Sequence, residues 1–181
     1  MKIKLTQEDR DWIEDYTQRF YKHKGKETSL KKQLYKGDDP LYPDRKGYTG
    51  EYVIHKFFGV EMPDFNPEYT KKDLLLGYKG SRLICDIKTT VYTNYGDSSH
   101  CEALTVSQGV FNSNLDERKI DVFIGVQLNK ELSIAEIHGV ISWEKFLKIQ
   151  EPFVFKDGGK APSVPVSELL YLSNDFKYLE S

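Results

Sequence analysis

Three rhythms of apolar and polar positions run along this chain, and each predicts a different kind of element. Near the start, Trp12, Tyr16 and Phe20 recur at four-residue spacing, one face of a helix. Thr6, with Asp9 three residues on, forms a capping-box-like opening for it. A second helical stretch, "TGEYVIHKFFG", has Thr49 placed to cap it and Gly59 to end it. A third, "WEKFLKIQ", follows the capping residue Ser142. Period-two and continuously apolar runs predict strands: "DLLLGY" and "SRLICDIK" about a tight turn, then "KIDVFIGVQL" and its partner "LSIAEIHGVI" after the turn "NKE". "EALTVSQGVFNSN" reads as a short helix, and "SELLYL" as a short strand or helix. The stretches "GDDPLYPDRKGY", "VEMPDFNPEYTKK" and "NYGDSSHC" read as loops, and the proline-bearing segment from Pro152 to Pro165 as largely irregular. A helix, a meander of strands and a further helix predict an α/β or α+β fold.

The hairpin breaks its own pattern. Asp73 opens its first strand, and Asp86 and Lys88 interrupt the second, where a core strand stays apolar. With Lys79-Gly80 as the two turn residues, Leu76 faces Leu83, Leu75 faces Ile84 and Asp73 faces Asp86. Lys88 is then the diagonal neighbour of Asp73. Alternation puts Asp86 and Lys88 on one face and Cys85 and Ile87 on the other. Like charges directly opposed across a sheet are destabilising, so such a carboxylate pair calls for a cation or a shared proton between them. Glu51 adds a third acid. It shares a helix face with Ile54, His55 and Phe58, and burial of Ile54 and Phe58 against the sheet carries Glu51 toward it. A carboxylate on an apolar stripe needs a partner, which Lys88 supplies directly and the two aspartates supply only through a metal.

Composition narrows the picture. At 181 residues the chain suits one domain with a sizeable core, and 39% hydrophobic content excludes a disordered chain. The net charge of -2 neither demands nor forbids a polyanionic partner. Its distribution is uneven, because Arg19 to Lys36 carries seven Lys or Arg against the single acid Glu27, with Phe20, Tyr21 and Tyr35 interleaved. That run is a solvated surface or a nucleic-acid contact. Cys85 and Cys101 form no CxxC or zinc-type spacing, which predicts free thiols and a reducing, cytoplasmic setting. No window is apolar enough for a membrane span, so no membrane partner is expected.

Glu51 on a helix, then Asp73, then Asp86-Ile87-Lys88 thirteen residues later, resembles the PD-(D/E)XK nuclease superfamily over roughly residues 48 to 90. The resemblance implies a restriction-endonuclease-like core: a mixed central β-sheet flanked by helices, with an added N-terminal helical segment. It implies a single nuclease-like domain over 1–181, divided into a helical, basic extension (1–47), a core (48–150) and a C-terminal segment (151–181). It further implies a DNA endonuclease dependent on Mg²⁺, with Mn²⁺ substituting, of restriction type or acting on branched DNA. Asp73 and Asp86 are then metal ligands with the Ile87 backbone carbonyl, Glu51 holds a metal-bound water or a second ion, and Lys88 is catalytic. Lys72, not a proline, precedes Asp73, whereas Pro63-Asp64 spells the motif literally. Asp73 is preferred because it opens an apolar strand at hairpin distance. A homodimer is the fold-level expectation. The competing class is a non-catalytic nucleic-acid-binding or protein-interaction module on the same fold. His55 and His138 read as structural, "DSSHC" at 97 to 101 as a loop without a partner set, and Gln108 as a polar residue near the site.

Overall fold

In the strand Val122–Leu128 all seven residues are buried, which requires cover on both faces and places it at the middle of the molecule. The computed structural model describes residues 1–24, 39–63, 74–91, 103–117, 119–154, 158–173 and 175–179. Numbered along the chain, its main strands are β1 (Lys2–Lys4), β2 (Leu74–Tyr78), β3 (Ser81–Val91), β5 (Val122–Leu128), β6 (Ile134–Ser142) and β9 (Phe176–Tyr178). They form one mixed sheet in the order β1-β6-β5-β3-β2-β9. β3 and β5 are parallel, and every other neighbouring pair is antiparallel. The hairpin has the expected register, with Leu76 opposite Leu83, Leu75 opposite Ile84 and Leu74 opposite Cys85. Its turn residues, Lys79 (φ 48°) and Gly80 (φ 82°), both take positive φ, the conformation that matches strand twist in a two-residue turn.

Helices α1 (Gln7–Lys24) and α2 (Tyr42–Phe58) cover one face. Cys85 and Ile87 of β3 join Ile13, Val53 and Ile54 there in the larger of two cores. The capping box forms as expected: the Asp9 N–H donates to Thr6 Oγ1 at 3.1 Å, and the Thr6 N–H to Asp9 Oδ2 at 2.7 Å. Asp9 has a second task. Its carboxylate accepts from Tyr52 Oη at 2.6 Å and from Lys56 Nζ at 2.6 and 2.7 Å, which locks α1 to α2. Burial alone raises its pKa, but the bonds from Lys56, Tyr52 and Thr6 outweigh that and hold it at about 2.

Helix α2 corrects one expectation. The stretch read as the end of a loop is helical from Tyr42, and Thr49 lies inside the helix, donating to the Arg45 carbonyl at 2.7 Å, rather than capping it. Pro43 stands in the first turn, where its missing N–H costs nothing and its fixed φ favours the helix. Gly59 does end the helix, at φ 68°.

The opposite face of the sheet carries a second layer that the prolines had disguised. β4 (Ala103–Thr105), β7 (Glu151–Val154) and β8 (Lys160–Pro165) form a three-stranded sheet in the order β4-β8-β7. Two further expectations are thereby corrected. The segment from Pro152 to Pro165 contains two strands, and "EALTVSQGVFNSN" is a strand followed by helix α3 (Gln108–Glu117). Pro152, on the edge strand β7, and Pro162 face each other in this sheet. Helix α4 (Trp143–Ile149) is capped as expected, with Ser142 Oγ accepting from the Lys145 N–H at 3.2 Å. Phe111, Phe123, Trp143 and Phe146 anchor the second core.

One close approach fixes where α2 lies on the sheet. Gly50 packs on Thr89 so tightly that a Cβ would fall 1.9 Å from Thr89 Oγ1. That hydroxyl is buried without a hydrogen-bond partner. Gly50→Ala is therefore expected to cost about 1–3 kcal/mol in chemical denaturation, and the added change Thr89→Ala to recover much of the loss. Asp9 predicts an acid limb. Its folded pKa is depressed, so its contribution is present above pH 3.8 and is lost as pH falls through about 2. Asp9→Asn should lower stability at pH 6 by on the order of 2 kcal/mol and flatten the melting-temperature profile between pH 4 and 2.

Candidate active site on the third strand

β2, described from Leu74, pairs with β3 from Cys85 back to Ser81, and β3 runs from Cys85 to Val91 alongside β5. Among the described residues, no strand pairs with β3 on the β2 side beyond Cys85. Asp86 and Lys88 lie in the part of β3 that runs alongside β5. Asp86 is buried and Lys88 half-buried, and Lys88 Nζ stands 2.5 Å from Asp86 Oδ2. The ammonium also lies 6.0 Å from the centre of the Phe123 ring, which places the pair on the face of the second core, opposite Cys85 and Ile87. Alternation along β3 thus separates charge from core as the spacing predicts.

Glu51 completes the group. The Gly50 contact seats α2 against β3, and the next residue turns its carboxyl into the field of Asp86 and Lys88. Part of the Glu51 residue stays accessible, but protein surrounds its carboxyl. Burial raises its pKa first, the Asp86 charge raises it further, Lys88 lowers it, and the result is about 7. Of its helix-face companions, Ile54 and His55 are buried and Phe58 packs against the larger core as a half-buried ring.

Beside this group lies a cavity of about 510 Å³, lined by Ile84 to Lys88 of β3, by Gly109, Val110, Ser113 and Asn114 of α3, and by Lys119 and Ile120. Two side chains that the sequence reading passed over hold its walls. Asn114, buried, accepts from the Ile120 N–H at 2.7 Å and donates to the Ile120 carbonyl at 3.1 Å. Asp121 accepts from the Ile84 N–H at 2.8 Å, and its own N–H donates to the Ile84 carbonyl at 2.8 Å. These bonds tie α3 and the start of β5 to β3 just before Asp86. The only sequence signal for Asn114 was a side-chain amide on an otherwise apolar helix face; Asp121 offered none beyond opening a strand.

The structure thus pairs Asp86 with Lys88 and sets Glu51, on the helix over the other face, in the field of both charges. Ile87 is buried between the two charged residues, its side chain in the larger core. Asp73 and Asp64, and with them the opposed carboxylates and the choice of first acid, lie outside the described residues, as do Cys101 and "DSSHC". So does most of the basic run, from residue 25 on. Cys85 is buried, and its Sγ donates to the Leu83 carbonyl at 3.7 Å. Gln108 is exposed and donates to Asn112 at 2.8 Å; it is not among the residues lining the cavity. His138 shares a hydrogen bond with Gln127 at 2.8 Å. Among the described residues no three His, Cys, Asp or Glu side chains form a metal cluster. None of the described helices is long and apolar enough to cross a membrane. Comparisons of the chain with family models, with curated proteins and with solved structures find no match.

Glu51 makes a signed prediction about stability. Its folded pKa of about 7 stands above the ordinary 4.5, so the folded state keeps a proton that the unfolded chain releases. Stability is therefore highest below pH 4.5 and is lost as pH rises through about 7. Glu51→Gln removes that loss. Urea denaturation should find the variant close to the unaltered protein at pH 4 and more stable by on the order of 3 kcal/mol at pH 8.

Proposed function

We propose that this chain is a Mg²⁺-dependent DNA endonuclease built on a restriction-endonuclease-like core. The observation that carries the reading is the Asp86–Lys88 pair in the central strand β3, with a buried helical carboxyl, Glu51, in the field of both charges. The sheet supports it, since an antiparallel hairpin followed by a strand parallel to β3 sets the D-x-K segment at the centre of a mixed sheet flanked by helices.

The donor set fits a hard cation. Glu51 and Asp86 offer oxygen ligands only, and burial, followed by the Asp86 charge, raises the Glu51 pKa, a cost that a cation held by both carboxylates would relieve. Asp86, Glu51, the Ile87 backbone carbonyl and Asp73 are the proposed ligands, with Mn²⁺ able to replace Mg²⁺. The ion supplies charge neutralisation at the phosphate and acidification of water. Lys88 does the rest from the protein side. Its ammonium, steadied by Asp86, donates a hydrogen bond toward the attacking water or the non-bridging oxygen where charge grows as the phosphodiester bond breaks. Asp86 thus has two duties, holding the cation and orienting Lys88. The cavity beside them, with Lys119 on its wall, admits the phosphate backbone. Cutting both strands of a duplex calls for a second active centre, which a homodimer supplies.

Incubation with plasmid, branched and single-stranded DNA is expected to give nicked or cut products with Mg²⁺ or Mn²⁺ and none with chelator. Lys88→Ala should lower the rate by about 10²–10³-fold while leaving the melting temperature near that of the unaltered protein. Mn²⁺ should raise the melting temperature, and Asp86→Asn should abolish that rise. Full cleavage by Lys88→Ala overturns the role assigned to it. Metal-independent binding without cleavage assigns the chain to the non-catalytic class instead.

A further inference from the structure

The face of the central sheet that bears Asp86 and Lys88 continues past the cavity toward the β9 edge. Alternation along β3 puts Arg82 on that face, two positions before Ile84, the first β3 residue of the cavity wall. Arg82 lies opposite Gly77 of β2, and Gly77 lies opposite Lys177 of the edge strand β9. The three form one row across three strands. Their sequence neighbours settle which way the row faces, because Leu76, Leu83, Tyr78, Phe176 and Tyr178 all pack with the larger core on the other side.

Arg82 and Lys177 are exposed, and among the described residues neither enters an ion pair. With strands about 4.8 Å apart, the two backbones stand about 10 Å from each other. Gly77 puts no side chain between them. Leu179 fills that space, since a Cβ at Gly77 would meet its Cδ2 at 3.3 Å. Along β3, four residues separate Arg82 from Asp86, a distance of about 13 Å. Lys119, on the cavity wall, is a further cation beside the site, already engaged by Glu117. The rings of this corner are turned away from the row: Tyr78 stacks on Phe176 at 4.4 Å, and Tyr178 meets His55 at 5.6 Å. Open cations with the rings turned away suit phosphates rather than bases.

We propose that Arg82 and Lys177 hold the phosphate backbone of a DNA substrate outside the point of cleavage and so position the strand that enters the Asp86–Lys88 site. The proposal rests on the nuclease reading for its substrate. The contact carries no sequence information, because the phosphates are the same beside every base.

Fluorescence anisotropy of the full chain with a short labelled DNA duplex, in the presence of chelator, reads binding without cleavage. Affinity is followed between about 50 and 200 mM salt, where each neutralised phosphate adds about 0.9 to the slope of log affinity against log salt. Arg82→Ala and Lys177→Ala are each expected to lower that slope by about 1, and the double variant by about 2. The loss of affinity should be the same on two unrelated sequences. Lys130→Ala removes the same charge from the exposed turn between β5 and β6 and should leave the slope as it is. Where alanine lowers the melting temperature, Arg82→Gln and Lys177→Gln, which keep most of the side-chain length, serve the same comparison. An unchanged slope in the folded double variant overturns the proposal, as does an equal drop in Lys130→Ala or the absence of duplex binding at the lower salt. The two readings fail separately. A lowered slope without any metal-dependent cleavage keeps the phosphate contact and overturns the nuclease, whereas cleavage with an unchanged slope does the reverse.

Discussion

The contact of Gly50 with Thr89 is the constraint on which the rest of the arrangement turns. A helix ordinarily lies on a sheet at the distance its side chains set. Here a residue without a side chain meets a β-branched one, and α2 comes closer than any other residue would allow. The neighbouring positions inherit that depth. Val53 and Ile54 become fully buried, and Glu51, one residue from the contact, is pressed into the field of Asp86 and Lys88.

Two carboxylates on either side of this helix have opposite fates for the same physical reason. Asp9 and Glu51 are both removed from water, and burial pushes both pKa values up. Asp9 meets a lysine, a tyrosine and a backbone amide and ends at about 2. Glu51 meets another carboxylate first and a lysine already engaged by that carboxylate, and ends at about 7. The first is an anchor that stabilises the folded chain at neutral pH. The second is a cost at neutral pH, and one that the Asp9 anchor on Tyr52 and Lys56 helps the helix to withstand. Strain at a group of charges, offset by bonding one turn away, is the pattern expected where a site is held ready for a ligand.

Much of this was legible in the sequence because it rests on local rules. The capping box of Thr6 and Asp9, the cap at Ser142, the stop at Gly59 and the turn at Lys79-Gly80 follow from side-chain chemistry within a few residues. The hairpin register followed from the turn, and with it the shared face of Asp86 and Lys88. What escaped were features set by distant partners. Residues 42–48 look like a loop because Pro43 and Gly47 dominate the local signal, yet Arg45 pairs with Glu14 and Asp39 and fixes a helix there. β7 and β8 look irregular because three prolines mark them, and they become strands only by pairing with each other and with β4. β1 and β9 are three residues each, too short to show a period, and exist because β6 and β2 offer free edges.

The same distinction explains the site. Its acids and lysine were visible as departures from an apolar pattern, since a charge in a core strand is conspicuous in one dimension. Its scaffolding was not, because Gly50, Asn114 and Asp121 act by proximity and hydrogen bonding across the fold. Yet the scaffolding decides what the charges are worth. Asn114 and Asp121 clamp Ile120 and Ile84 by paired backbone bonds, so the chain enters Asp86 from a fixed direction on both strands. Lys88 is then limited by Asp86 on one side and the Phe123 ring on the other. An ammonium so confined has little orientational freedom left to lose on meeting a developing charge, which would lower the entropic cost of the step proposed for it.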